Sequence, residues 1–261
     1  MATETTRDGK DSDRKDSIVT DYVSCPTHVR SANLGTLTAL VDLRTGQVGA
    51  LLGWAHHVWS TLAQTGDSTI AATAIDGASA DQVIELVRQL HADGLLDDSP
   101  EPQPWMVPEV PVTMPSWGTH EVPAGILRPG CAAVGTRVLA GVALGSVLIT
   151  RHVGRRSRSF SRIVALLTAA TRWPHQRTET ASVEHALHCV RNVASVLPFR
   201  VACLEETASA MLVLALSGRR AGWCHGIAAD PIRLHAWITL DGHPVAESAS
   251  TSRYAPLLHI P

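Results

Sequence analysis

The chain lacks most of the features that announce a function class. Phe and Tyr are nearly absent, with two of each, although there are seven Trp. The five Cys (25, 131, 189, 203 and 224) are odd in number, far apart and without CxxC spacing. That excludes a disulfide framework and points to a reducing compartment. Neither sign of charge dominates: Lys and Arg total 22 against 24 Asp and Glu, a formal net charge of −2. A global attraction to nucleic acid or to an anionic surface is therefore excluded. No Gly-rich phosphate loop occurs. The longest apolar run, "VLAGVALGSVLI" at 138–149, falls short of the roughly 20 residues that span a bilayer, and it reads as a buried helix. The first residues, "MATETTRDGKDSDRKDS", have no apolar centre and do not read as a signal peptide. They read as a disordered tail over 1–20. These absences predict a cytoplasmic protein with no integral membrane segment and no nucleic-acid partner.

What is present is a real core composition, 45% apolar in 261 residues, enough for one large domain or two modest ones. The first patterned region, 21–98, begins with strand-like runs. "LTALVDL" and "VGALLG" flank a probable hairpin turn at Arg44-Thr45-Gly46-Gln47. Three helical patterns follow. Trp54, Val58, Trp59 and Leu62 are at helical spacing before Gly66. A short helix starts at Asp67 or Ser68. The third is capped by Ser79, carries Val83, Leu86, Val87 and Leu90 on one face, and stops at Gly94. The order β-β-β-α-α-α is that of a small winged-helix domain. Region 99–130 is a Pro-rich linker, extended and semi-rigid, with Trp105 and Trp117 placed to dock elsewhere. Region 131–261 reads as four helices, then three strand-like pieces, "GWCHGIA", "RLHAWITL" and "HPVAES". Helices followed by an antiparallel sheet make an α+β domain.

One constellation carries chemistry. Cys203 follows Pro198 and opens a strong helical pattern, where free N–H groups and the helix dipole favour a thiolate. His235 lies on a strand-like piece, the placement that a Cys-His pair requires. Two acids compete to orient the imidazole. Asp241, with Gly242, is a hairpin-tip signal, and at about 3.3 Å per residue the tip lies roughly 20 Å from His235. Glu247 returns alongside. A two-residue turn pairs 236 with 247 and sets Glu247 on the opposite face; a three-residue turn pairs 237 with 247 and brings the two together. The expectation is Glu247, with the register open.

The stretch "CLEETASAMLVLALSGRRAG…HAWITLDGHPVAE…YAPLLHI" resembles the leader-peptidase (B protein) family of lasso-peptide biosynthesis, whose members are transglutaminase-like cysteine proteases. The likeness covers about 198–261 well, and the 203–235–247 spacing is similar to that family's Cys-His-Asp triad. Glu247 stands where the family usually has Asp. The resemblance implies a transglutaminase/papain-like domain over 131–261 and a triad of Cys203, His235 and Glu247 without a cofactor. It also implies a PqqD-like leader-recognition domain over 21–98. There the leader of a precursor peptide would add as a strand beside Gln47–Leu52, by β-augmentation, meeting Val48, Ala50 and Leu52 and the helix at Val83, Leu86, Val87 and Leu90. The freed core peptide would pass to an ATP-dependent lasso cyclase that closes a macrolactam. Candidate contacts for that hand-over are the basic run "RHVGRRSRSFSR" (151–162), which otherwise reads as a solvated loop, and the linker Trp residues.

Rival readings are weaker. The third helix of the winged-helix region and the turn after it carry Asp81, Glu85, Asp93, Asp97 and Asp98 against Arg88, the wrong sign for DNA. "HALHC" places His185, His188 and Cys189 on one helix turn, with Cys224-His225 near in sequence, but no second clean pair completes a zinc site. The bland alternative is a scaffold that binds a leader for a partner enzyme and cuts nothing.

Overall fold

The structure is a computed structural model and describes residues 21–74, 76–110, 134–173, 176–229 and 232–261. The tail at 1–20, most of the Pro-rich stretch and Trp117 lie outside the described residues.

The chain opens with β1 (Val23–Ser24), β2 (Val29–Asn33), β3 (Leu37–Asp42) and β4 (Gln47–Leu52). Helices α1 (Trp54–Thr65), α2 (Ser68–Ala74) and α3 (Ala80–Ala92) follow, then β5 (Asp97–Asp98). The three helices follow the strands as expected from the sequence, with the two-residue β1 added before the three-stranded run. Local signals act as anticipated. Gly66 takes the left-handed conformation that ends α1, and Ser79 with Gln82 forms a reciprocal capping box on α3. Asp67 accepts from the N–H groups of Thr69 and Ile70 at the start of α2. The short β1 and β5 pair with each other, tying the front of the domain to the end of α3.

Sheet β2-β3-β4 is antiparallel and is shared between two cores. Val29 and Leu40 face α1–α3, packing with Trp59, Leu62, Val83 and Val87. Ala32, Ala39 and Val41 face the other way, into the core of the carboxyl-terminal half. Both faces of β3 are therefore covered, which is why "LTALVD" shows no polar–apolar alternation. Trp105 docks edge-on against Trp59, ring centres 5.5 Å apart, and its backbone N–H donates to the Ala63 carbonyl. It is thereby a half-buried part of this domain rather than a free contact.

The second half contains α4 (Val134–His152), α5 (Ser159–Ala170), α6 (Thr180–Ala194) and α7 (Cys203–Leu216). Strands β6 (Gly222–Ala228), β7 (Arg233–Leu240), β8 (His243–Pro244) and β9 (Ala255–Ile260) complete it. Helix α7 is buried from Thr207 to Ala215 and is wrapped by α4, α5, α6 and the sheet. A helix apolar on every side belongs at the centre of a domain. The sheet order is β8-β7-β6-β9.

Three expectations are corrected here. "HPVAES" is not a full strand, because pairing stops at Pro244. Strand β9 went unread because Pro256 interrupts it, and it pairs only on one side with a register shift at His225/Gly226, as a Pro-bearing edge strand can. Helix α4 is buried only along Ala140, Ala143, Leu144 and Val147; Val138, Val142 and Ile149 are exposed. By length and composition α4 is the one helix among the described residues apolar enough to cross a membrane, and only a minority of it is buried.

Candidate active site

Cys203 is the first residue of α7. Ala202 precedes it in extended conformation, and no side chain caps the helix, so first-turn N–H groups remain near the sulfur. The helix start is anchored from the sheet. The indole N–H of Trp223 donates to Thr207 Oγ1 at 2.9 Å, and that hydroxyl donates to the Cys203 carbonyl at 2.7 Å. Thr207 and Trp223 carried no recognisable signal in the sequence beyond apolar patterning. Two acids in the first turn, Glu205 and Glu206, are paired with Arg151 and Arg191. This offsets negative charge that would oppose a thiolate.

His235 stands on β7, and its Nε2 lies 2.8 Å from Glu247 Oε2. The ring's other nitrogen is Nδ1, and His235 and Cys203 lie close enough for each to shift the other's pKa. Thr251 donates to the same carboxylate oxygen at 3.1 Å, fixing Glu247 from behind. Asp241 sits exposed at the turn tip and takes no part. The hairpin takes the first register considered above, and Glu247 reaches His235 by leaving the ladder. The hairpin turn has two residues, Asp241 and Gly242, and pairs Leu240 with His243. Ala246 then adopts φ 54°, a left-handed conformation uncommon for a residue with a Cβ. That twist cancels the alternation and returns the Glu247 side chain to the His235 face.

Aromatic rings enclose the imidazole. Trp237 stacks at 5.9 Å between ring centres, and Tyr254 lies at 5.1 Å. Electron-rich faces at this range favour an imidazolium. Burial alone pushes His235 down, but Cys203 and Glu247 outweigh it and bring its pKa to about 9. Burial pushes the Cys203 thiol up. The His235 hydrogen bond, the N–H of Ala236, the His235 charge and the N–H of Leu204 together bring it below its ordinary value. The other described cysteines move the opposite way: burial raises Cys25 to about 11 and raises Cys189 and Cys224. The site therefore favours a thiolate–imidazolium pair, the reactive form for attack on a carbonyl.

A cleft of about 220 Å³ opens beside Cys203. Phe160, Ile163, Leu204 and Leu234 supply apolar walls, and His225 lies buried among them. Burial and the charge of His235 bring His225 to about 4, so it is neutral. Thr45 and Gly46, at the β3–β4 turn, close the cleft on the side of the amino-terminal half. Two larger hollows, about 360 and 510 Å³, lie away from Cys203.

The residues expected to meet a leader separate by burial. Val48, Ala50 and Leu52 are exposed on β4, an edge strand. They share the sheet face of Val41, Ala39 and Leu37, turned toward the carboxyl-terminal half. Val83, Val87 and Leu90 are core residues, 1%, 1% and 4% exposed, and cannot themselves touch a ligand. Leu86 is half-buried, and Ile84, which the sequence reading passed over, is exposed on that helix. The reason is that α3 uses 83, 87 and 90 to pack on the sheet. The basic run is partly structural: Arg151 pairs with Glu205, and Arg162 donates to the carbonyls of Thr150, Arg151 and Arg155. No group of three or more His, Cys, Asp or Glu suited to a metal occurs among the described residues.

Residues 146–259 match a family model described as Transglutaminase-like superfamily. That segment of the carboxyl-terminal half is similar to transglutaminase-like domains. That match contains Cys203 on α7, His235 on β7 and Glu247 in the segment after β8. Comparison with curated proteins and with solved structures returned no match. A transglutaminase-like domain fits thiol-based chemistry of the cysteine-protease type.

Proposed function

We propose that this protein is a cytoplasmic cysteine peptidase that removes the leader from a ribosomally made lasso-peptide precursor and supplies the core peptide to an ATP-dependent macrolactam-forming cyclase. The observation that carries the reading is the Cys203–His235–Glu247 arrangement at the mouth of a cleft within a transglutaminase-like domain. The sequence resemblance supplies the substrate class. The amino-terminal domain would act as the PqqD-like element, taking the leader as an added strand on β4. Among the described residues β4 pairs only with β3, so a row of its ladder groups is available.

In this mechanism the Cys203 thiolate attacks the scissile carbonyl. The backbone N–H of Cys203 at the helix start donates to the developing oxyanion. His235 gives its proton to the leaving amine, which departs with the core peptide, and a thioester to the leader remains. Neutral His235 then takes a proton from water, hydroxide adds to the thioester, and the leader leaves as a carboxylic acid with Cys203 restored. Glu247 holds the imidazole by its Nε2–H throughout.

The test is mass spectrometry of the precursor incubated with the wild-type protein and with Cys203→Ala. The expected result is one cut, lost in the variant. A leader that binds with no cut by the wild-type protein would make the chain a recognition scaffold for another enzyme.

A further inference from the structure

The Cys203 cleft is built by both halves of the chain. Its wall beside Phe160 is the β3–β4 turn of the amino-terminal domain, with Thr45 and Gly46 lining the cleft. This wall is fixed to the catalytic side. The N–H of Ser161 donates to the Arg44 carbonyl at 3.2 Å, and the Ser159 hydroxyl reaches the Thr45 carbonyl at 3.5 Å. A Cβ on Gly46 would meet the Phe160 side chain at 3.5 Å. Behind the turn, Ala32, Ala39, Val41 and Leu43 share one core with Ile163 and Ile227. The two halves therefore hold a set distance.

Strand β4 leaves the cleft at Gln47, the residue after Gly46, and runs outward to Leu52. The opposite edge of the sheet is already occupied: Asn33 on β2 exchanges backbone hydrogen bonds with the segment at Pro108 and Val110. The open edge of this sheet at β4 thus begins at the cleft wall. A peptide pairing antiparallel to β4 runs from Leu52 toward Gln47 and delivers its carboxyl-terminal continuation over Gly46 to Cys203. A parallel peptide would carry that continuation away.

We propose that the Arg44–Gly46 turn is a fixed wall of the cleft that measures the substrate: a precursor held antiparallel on β4 is cut a set number of residues past its last paired residue. This rests on the peptidase reading above. A cleft of about 220 Å³ is on the order of 6–10 Å across. At about 3.4 Å per extended residue, two to three residues bridge from the edge of Gln47 to the scissile bond. A domain joined only by a flexible tether would impose no such count.

The experiment uses the full chain and the precursor peptide whose Cys203-dependent cut defines the activity. One, two and four Gly/Ser residues are inserted between the β4-binding segment and the cut site. The products are mapped by mass spectrometry, and binding to Cys203→Ala is measured in parallel. The expected result is undiminished binding, with the original bond cut at least tenfold more slowly or the cut moved toward the leader by the number inserted. Gly46→Asn, which tolerates the positive φ of this turn (76°), is expected to keep leader affinity within about twofold and to lower kcat/KM about tenfold. An unmoved cut at an unchanged rate through the insertion series, or an unaffected Gly46→Asn, overturns the measuring wall and leaves the peptidase standing. Absence of any Cys203-dependent cut of the parent precursor overturns both.

Discussion

His235 and Glu247 meet at 2.8 Å although the hairpin between them is closed by a two-residue turn that, continued as a ladder, would set them on opposite faces. The contact exists because Ala246 turns left-handed at φ 54°. The third member of the site is therefore positioned by a single backbone angle.

That angle is testable. Ala246→Gly removes the steric penalty of the left-handed region, and is expected to leave activity intact and stability unchanged or up to about 1 kcal/mol higher. Ala246→Val places a β-branched residue there and is expected to cost about 1–2 kcal/mol. It should also slow peptide cleavage, as Glu247 is drawn off the imidazole. Thermal melts and kcat/KM on the same preparations check both; equal activity in the two variants would show that the angle is not what delivers Glu247.

Replacing Glu247 by Gln keeps the shape and removes the charge. His235 owes part of its high pKa, about 9, to Glu247. The variant is expected to lose roughly 10²-fold in kcat/KM and to show its alkaline limb at lower pH. Glu247→Asp, the residue usual in the resembled family, should retain more activity than Gln if the carboxylate still reaches Nε2.

The pH dependence follows from two opposed shifts. Cys203 ionises below its ordinary 9.0, and His235 keeps its proton up to about 9. The reactive ion pair is populated between those limits, so kcat/KM should rise with Cys203 ionisation, plateau, and fall near pH 9. Stability carries the same signs. His235, raised from 6.5, contributes fully below about pH 6.5, and that part is lost as pH climbs through about 9. Cys203, lowered, contributes above about pH 9, and that part is lost as pH falls through its folded value.

The same shifts single out one thiol. With Cys25 at about 11 and Cys189 and Cys224 raised by burial, limiting iodoacetamide at pH 7 should label Cys203 ahead of those three. Peptide mapping of the alkylated protein gives the order. His235→Ala is expected to slow labelling of Cys203 and leave the others unchanged.

Glu205 is 5% exposed two residues after the thiol, with Arg151 as its ion-pair partner and Oε2 without a hydrogen bond. Arg151→Ala strands a buried charge and is expected to destabilise by about 2–4 kcal/mol, the lower end reflecting the partial exposure of Arg151. Adding Glu205→Gln should recover about 1–3 kcal/mol of that loss. Denaturant melts of the two single variants and the double variant give the coupling directly.

Much of the site was legible because thiol chemistry needs a helix start and a strand imidazole, and Pro198, the helical run after Cys203 and the strand around His235 mark both. Strand rise alone set Asp241 aside, and Glu247 remained as the expectation with its register open. The route by which it arrives was not, since nothing in "HPVAES" marks Ala246 for a positive φ. In the amino-terminal half, caps and turns at Gly66, Ser79 and Gly46 were readable from local chemistry. The burial of Val83, Val87 and Leu90 was not separable from a ligand-facing role, because one apolar helix stripe serves either purpose. Pro256 hid β9, and contact between the halves at Phe160 and Gly46 joins residues too distant in sequence for any pattern to pair.

The β2-β3-β4 layer gives the molecule one fate. Ala32, Ala39 and Val41 are 0% exposed only because the second half covers them. Cutting the chain between its halves would leave each with a dry, sticky scar, so a lone amino-terminal fragment should clump rather than persist, and heat should melt the intact protein in one step.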